Sequence, residues 1–568
     1  MELATLISYS RGHMPADLLL KNARVIDVFN GEVLPPAHVA IAHSRVVGIG
    51  DYQATDVIVV KGAYVAPGFI DAHVHVESSM VPPGEFGRVV APLGTTTVIT
   101  DPHEIANVLG LDGIRFMFES AKYGPVSMYV MASSCVPATH METNGAVLHW
   151  YDLVSLQNDP WVLGLAEVMN FPGVVNGEAE VLDKLRIFKN AVIDGHCPGL
   201  TGKALQAYVA TGIASDHECT TVEEAREKLR LGMAIFIREA TNARNLQTLL
   251  PLVTPMNQHR ICFCTDDRQS ADLLDEGHID FMVCRAIAAG LDPMLALRMA
   301  SWNAASIFRL HDRGAVTPGR RADLIVFDDL QAPRPWLVLR GGAVVAKNGE
   351  PLVPRREPPR SLRSTMNVAW DRVDIRIAAE GRRARVIGVI PDQLVTNHLV
   401  EDITIQDGEA VSDPERDIVK MVVIERHMYS GQVGKGFVSG IGLKRGALAS
   451  SVAHDHHNIV AIGVDDASIL AAARRVARLG GGMAVAVGEQ IVAEVPLPLA
   501  GLMSLEPAET VRQQVDRAIT AAHELGSPLH DPFMAMSFLA LEVIPSLKLT
   551  DQGLVDVDRF EITPLWVA

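Results

Sequence analysis

Apolar and polar positions along the chain change period three times. The first segment alternates at short range: DLLLKNARVIDVF, AHVAIAHSRVVGIG and DVIVVKGAYVAPG carry β-branched residues between Gly, Asn and Asp turns, as short strands do. The same texture returns in VTPGRRADLIVFDD and WLVLRGGAVVAKNGE. These two pieces predict one small β-sandwich domain assembled from both flanks, residues 1–62 and 313–356. Between them, over 63–312, strand-like runs alternate with helical ones. Eight candidate strands stand out: GFIDAHVHV, TTTVITDPHE, VSMYVMASS, WVLGLAEVM, AVIDGHCPG, IASDHECT, MAIFIREA and RICFCTDD. Helical stretches such as TVEEAREKLRLG and DPMLALRMAS separate them, the latter with Asp292 as N-cap and Pro293 in the first turn. Eight β-α alternations over about 250 residues predict a (β/α)8 TIM-like barrel within an α/β fold class. A doubly wound open sheet is the alternative, weakened because neither GxGxxG nor GxxxxGK occurs. After a Pro/Arg-rich linker, EPLVPRREPPRSLR, further strands and the amphipathic run DDASILAAARRVARLG predict an additional C-terminal α/β domain, 357–568.

Composition narrows the classes. Lys plus Arg is 50 against 67 Asp plus Glu, a formal charge of −17, with 48% hydrophobic residues. That is a globular composition, and the acidic balance argues against nucleic acid as a partner. No uninterrupted apolar run of 18 residues occurs, so no membrane span is expected, and MELATLISYSRGHM lacks the charge-then-apolar order of a signal peptide. Six cysteines without a CxxC pair predict a reducing cytoplasm. The expected partner is a small molecule, and the expected state a homo-oligomer, dimer or larger.

The chemistry concentrates at the ends of the predicted strands. His73 and His75 sit two apart, on one face of a strand. Asp101, His103 and Glu104 end the second strand, Glu167 the fourth, His196 the fifth, His217 the sixth, and Asp266 and Asp267 the eighth. A barrel gathers such ends into one ring, and imidazole with carboxylate is a ligand set for first-row divalent metals. Competing motifs fail. His75-Val76-Glu77 is an HxE without a PCxxC, His103-Glu104 opens no HExxH, and Ser133 and Ser134 lie outside any GxSxG.

PGFIDAHVHVESS, TTTVITDPHEIANV, GLAEVMNFPGVV, DGHCPGL, SDHE, CTDDR and GAVTPGRRADLIVF together resemble the amidohydrolase superfamily of metal-dependent barrel hydrolases. TDPHEIANV with GLAEVMN and the extra C-terminal segment resemble its adenine-deaminating branch. The resemblance implies two divalent ions per subunit, Mn2+ or Fe2+, with Zn2+ as the alternative. His73, His75 and Asp266 would hold one and His196 and His217 the other. Glu167 would bridge them where many relatives carry a carboxylated lysine. The implied reaction is hydrolysis of adenine to hypoxanthine and ammonia, in purine salvage or catabolism. A metal-bound hydroxide would attack C6, and Asp266 would pass a proton to the departing amine. Asp267 is read as a structural partner. Glu104 is the candidate contact to a purine ring nitrogen, as a carboxyl kept neutral near pH 7, with the alternative that DPHE merely caps a helix. Asp101 and His103 either orient Glu104 or reach a metal. His454, His456 and His457 close the barrel mouth, bind an additional metal, contact substrate (His457) or form a surface turn. Arg238 and Glu239 line the pocket or pair between barrel elements. The rival readings are an amidohydrolase acting on a cyclic amide or another nucleobase, and a silent purine- or metal-binding relative.

Overall fold

A computed structural model describes residues 2–359, 362–391 and 393–567. Within the Pro/Arg-rich linker, Arg360 and Ser361 lie outside the described residues. The long strand Ala16–Asp27 pairs antiparallel with Ala37–Ala42 and parallel with Ala54–Val59 and Tyr64–Pro67. Tyr64–Pro67 in turn pairs antiparallel with Leu324–Phe327, and the ladder continues through Leu337–Arg340 and Ala343–Lys347. Segments from before and after the middle of the chain thus share one ten-stranded sheet. Val25, Val39 and Val65 from one side and Leu324, Val326 and Leu339 from the other are buried in one cluster.

The middle forms eight parallel strands: β1 (Phe69–Val74), β2 (Thr95–Thr100), β3 (Ser127–Ala132), β4 (Val162–Val168), β5 (Val192–Gly195), β6 (Ser215–Asp216), β7 (Ala234–Arg238) and β8 (Ile261–Cys264). β1 to β5 pair in sequence order, as do β6 to β8. The Ala214 amide donates to the Ile193 carbonyl at 2.9 Å, joining β5 to β6. At the other seam the Asp266 amide donates to the His73 carbonyl at 3.0 Å, and Val74 bridges Asp266 in parallel. The barrel is therefore closed, and the open doubly wound alternative falls. Strand ends that were distant in sequence become neighbours. Helices follow the strands with the caps the sequence supplies. Asp292 accepts from the Met294 and Leu295 amides ahead of Pro293–Met299, and Thr221 caps Val222–Arg230.

The C-terminal segment builds a nine-stranded sheet whose centre is Val433–Ser439, Ile418–Ile424, Ile459–Gly463 and Ala447–Ser450. The helices Asp466–Arg478 and Ala508–Glu524 accompany it. This part lies across the carboxyl ends of the barrel strands. Ser504 donates its amide to the Met80 carbonyl at 2.8 Å after β1. Thr139 and Thr550 exchange hydroxyl contacts with Glu542 and the Met141 carbonyl, both at 2.6 Å, after β3. Gln269 donates to Asp531 at 3.0 Å after β8. All six cysteines are free thiols and five are buried. Among the described residues no helix is long and apolar enough to cross a membrane.

Candidate metal centre

Closure of the barrel brings His73, His75, Glu167, His196, His217 and Asp266 together, each at most 8% exposed. The His75 Nε2 lies 3.1 Å from Asp266 Oδ1 and 3.2 Å from Glu167 Oε1, and 3.1 Å from the His73 Nε2. On the other side of Glu167, its Oε2 meets His196 Nδ1 at 2.7 Å and His217 Nε2 at 3.2 Å. Two three-residue groups result, His73/His75/Asp266 and Glu167/His196/His217, each with donor atoms close enough for one ion. The Glu167 carboxylate spans them with one oxygen toward each. Four imidazoles and two carboxylates, buried and convergent, fit first-row divalent cations.

The residues behind these donors fix their orientation. Asp194 Oδ2 accepts from His73 Nδ1 at 3.0 Å, and the Asp101 carbonyl accepts from His75 Nδ1 at 3.0 Å, leaving both Nε2 atoms to the site. Arg238 holds Asp266 Oδ2 at 2.9 Å and pairs with Glu218. Asp266 has a left-handed backbone (φ 57°), a conformation Asp adopts more readily than most residues. At the end of β6, Asp216 accepts the Cys197 amide at 2.9 Å and the Glu218 amide at 3.2 Å. It therefore ties together the residues that follow His196 and His217. Asp216 in turn pairs with the buried Lys228 at 3.0 Å.

The field is one that demands positive charge. Burial alone would lower the His73 pKa, yet hydrogen bonds to Asp194 and Asp266 and the Glu167 charge push it up to about 10. His196 is opposed by burial in the same way, and Glu218 and Glu167 push it up to about 9. Burial works to raise Glu167, but His196 and His217 hold it well below the usual carboxylate range. Divalent ions answer the same demand with more charge than protons carry.

Next to this cluster stands Glu104, 2% exposed, at the start of the helix His103–Leu109. Its Oε1 lies 2.7 Å from His454 Nδ1, and its Oε2 is against His457 Nε2. The neutral carboxyl expected for Glu104 is not what this neighbourhood supports. Burial would raise its pKa, but the charges of His454 and His457 hold it well below the usual value. The sequence reading missed this because both imidazoles come from another domain. His103 Nδ1 donates to Asp101 Oδ2 at 2.9 Å, and its Nε2 faces Glu104 at 3.5 Å and Asp455 at 3.6 Å. His454, His456 and His457 are all buried, so the surface-turn reading falls. The turn is braced by the C-terminal sheet, where Arg426 donates to the His457 carbonyl and His427 Nε2 to the His456 carbonyl at 2.7 Å. Arg238 pairs within the barrel and also faces a cavity of about 940 Å3, which opens beside the cluster. Glu218, Phe171, Leu394, Ile544 and Phe560 line the same cavity. Glu239 accepts the Leu246 amide and faces Arg285 at 3.8 Å, a pairing between barrel elements. Asp267 accepts from Ser78 Oγ at 2.5 Å. Of the residues the sequence reading passed over, Asp194 had a signal: it precedes His196 by two on β5, on the same strand face. Glu218, Asp216 and Lys228 had none beyond proximity in the fold.

Comparison with known proteins agrees with this architecture. The Amidohydrolase family matches residues 64–352, and the Adenine deaminase C-terminal domain matches residues 393–561. Over 563 residues the chain is 51% identical to a protein named adenine deaminase from Desulfatibacillum aliphaticivorans, covering 99% of both chains. It is 47% identical over 563 residues to adenine deaminase 2 of Carboxydothermus hydrogenoformans, and 48% over 564 residues to adenine deaminase of Cereibacter sphaeroides. Each of these alignments again covers 99% of both chains.

Proposed function

The chain belongs to the amidohydrolase family and, within it, to the adenine deaminases, and from that premise we propose that it hydrolyses adenine to hypoxanthine and ammonia at the carboxyl end of the barrel. The observation that carries the site assignment is Glu167, whose two oxygens face two separate groups of buried donors. His73, His75 and Asp266 would hold one divalent ion and His196 and His217 the other, with Glu167 shared. Mn2+ or Fe2+ suits this donor set, with Zn2+ as the alternative. Bound there, the ions supply a water whose pKa is lowered toward neutrality.

The chain's own residues do the rest. Asp266 Oδ1 stands among the donors while Arg238 anchors Oδ2. From that position Asp266 would take a proton from the attacking water and return it to the departing N6 amine. Glu104, kept ionised by His454 and His457, accepts a hydrogen bond from an N–H of the purine. His457 forms the wall behind it. Asp101 and His103 orient Glu104, through the 2.9 Å bond between them and the His103 Nε2 that faces Glu104. The C-terminal domain shuts bulk water out of the barrel mouth, which strengthens every polar contact inside. The same proposal places the enzyme in a reducing cytoplasm, consistent with its six free thiols. There it serves adenine salvage or breakdown, as a homo-oligomer.

The test is ammonia release from adenine by protein reconstituted with Mn2+, beside a chelator-treated control, with hypoxanthine identified as product. Metal-dependent turnover is the expected result; none from fully metallated, folded protein would overturn the assignment. Glu104→Gln, which exchanges an anionic acceptor for a neutral amide, is expected to lower kcat/KM roughly 10²-fold. Near-normal kinetics in that variant would remove Glu104 from the site.

A further inference from the structure

We propose that the chain binds a nucleoside 5′-monophosphate at the amino end of the barrel, in a cavity between β3, β4 and the flanking ten-stranded sheet. This is the opposite end of these strands from the metal centre. Arg340 would hold the phosphate, and Trp161 would stack on the base. The inference goes beyond the adenine reading and does not depend on the reaction catalysed.

The cavity is the first argument. It measures about 380 Å3, toward the small end of ligand pockets, which span roughly 300–1,000 Å3. That suits one ring, one sugar and one phosphate. Val126 and Trp161, just before β3 and β4, and Phe118 on the helix Leu111–Ala121 give it apolar walls. Tyr129 packs against the indole of Trp161, ring centroids 5.3 Å apart, yet Trp161 stays 43% exposed. Its amide donates to Asp159 Oδ1 at 2.9 Å, which fixes the chain where the side chain leaves it. An aromatic face left open beside a cavity is a stacking platform for any base.

Arg340 is the second. It enters at the end of the flanking strand Leu337–Arg340 and is half-buried. Its Nε donates to Ser127 Oγ at 3.2 Å and its Nη1 to the Gly124 carbonyl at 3.1 Å. Among the described residues no carboxylate pairs with it, and Nη2 has no hydrogen-bond partner. Asp323, the acid that acts on it, is taken by Arg321 at 3.2 Å and Arg313 at 3.6 Å. Burial lowers the Arg340 pKa, Asp323 opposes this only in part, and Arg321 and Arg313 add to the lowering. A guanidinium set among other guanidiniums calls for an anion. With two donors already fixed, its planar fork is oriented, and phosphate is an anion that such a fork grips through two oxygens.

Charge around the mouth is the third. Arg115 and Lys122 join Arg340 at this cavity, against Glu119 and Asp159. Cations are thus in local excess within a chain whose formal charge is −17. Arg115 pairs with Asp112 at 3.2 Å and Lys122 with Glu119 at 3.8 Å, but both pairs are exposed. Such pairs are weak, so both cations can turn to a phosphate. Glu119 and Asp159 offer acceptors to ribose hydroxyls. A ligand that answers all three features carries a flat ring, hydroxyls and an anion together. Inorganic phosphate lacks the ring, and a nucleoside lacks the anion.

The experiment is a calorimetric titration of the full-length, Mn2+-loaded protein with AMP and with CMP, beside adenosine and inorganic phosphate. One nucleotide per chain is expected, bound at least about tenfold more tightly than adenosine or phosphate. Arg340→Gln and Trp161→Leu should each weaken both nucleotides about tenfold or more, with Mn2+ content unchanged, which places the loss away from the metal centre. Phosphate held as tightly as AMP would reduce the site to a bare anion pocket, and adenosine held as tightly would remove the phosphate contact. Either result overturns the proposal, as does an absence of binding or binding that survives in both variants. If Arg340→Gln misfolds, Trp161→Leu, at an exposed position, carries the comparison.

Discussion

Lys228 lies on the helix Val222–Arg230, behind β6, and its ammonium is fully buried. It donates to Asp216 at 3.0 Å, Glu224 at 2.7 Å and the Cys197 carbonyl at 2.8 Å. Burial alone would discharge it, but Asp216 keeps it charged. Lys228→Met preserves the length and apolar stem and deletes the charge. Asp216 then keeps a fully buried carboxylate with no cation opposite. Removing one partner of such a pair costs about 3–5 kcal/mol, most of it for the stranded charge. For a barrel-sized unit, where 1 kcal/mol shifts Tm by roughly 2–4 °C, the melting point should fall on the order of 6–20 °C. The damage should also reach the ligands, since Asp216 holds the amides that follow His196 and His217. Mn2+ affinity is expected to weaken about 10- to 100-fold, as for other losses of support behind a metal ligand. The assay is a thermal melt with parallel Mn2+ titration of Lys228→Met, Asp216→Asn and the double variant. The double should melt above Lys228→Met, because it no longer buries an unpaired charge. A single variant that melts within about 2 °C of the parent, or a double variant whose loss is the sum of the two singles, refutes the counter-ion argument.

Asp194→Asn keeps the shape behind His73 but weakens the hydrogen bond that raises its basicity. Mn2+ affinity should drop about 10- to 100-fold with little change in melting, and a loss under threefold would show that His73 needs no such support. Glu542 is raised by burial from the ordinary 4.5 to about 7, so the native state binds this proton more tightly than the unfolded chain. Its contribution is complete below about pH 4.5 and lost as pH rises through 7, at most roughly 3 kcal/mol. Wild-type melting should therefore decline between pH 5 and 8, and Glu542→Gln should flatten that decline; parallel profiles would assign the proton elsewhere.

The barrel was legible because its signals are local. Each strand is a β-branched run closed by a turn, and ionisable residues sit at the run's end, as in TTTVITDPHE. The cap at Asp292 is likewise written within a few residues. What the sequence withheld depends on tertiary neighbours. Nothing near Glu104 in the chain announces that two imidazoles from a turn 350 residues later surround it, so its charge state was misjudged. Lys228 carries no signal of its own, since its partner Asp216 comes beside it only once the barrel is folded. The HDHH run was ambiguous for the same reason: four polar residues look alike in a loop and in a buried turn.

The sheet that joins Tyr64–Pro67 to Leu324–Phe327 sets an order of events during synthesis. The first of these strands leaves the ribosome about 260 residues before its partner, a delay of roughly 13–50 s at ordinary elongation rates. Until then one flank of Tyr64–Pro67 is an open edge, and Val65 and Ala66, buried in the finished sheet, have only the Ala16–Asp27 side to rest on. Such edges are where chains pair wrongly. The nascent protein thus carries a sticky seam through the whole making of its barrel, and its yield in the cell should depend on how well chaperones cover that seam.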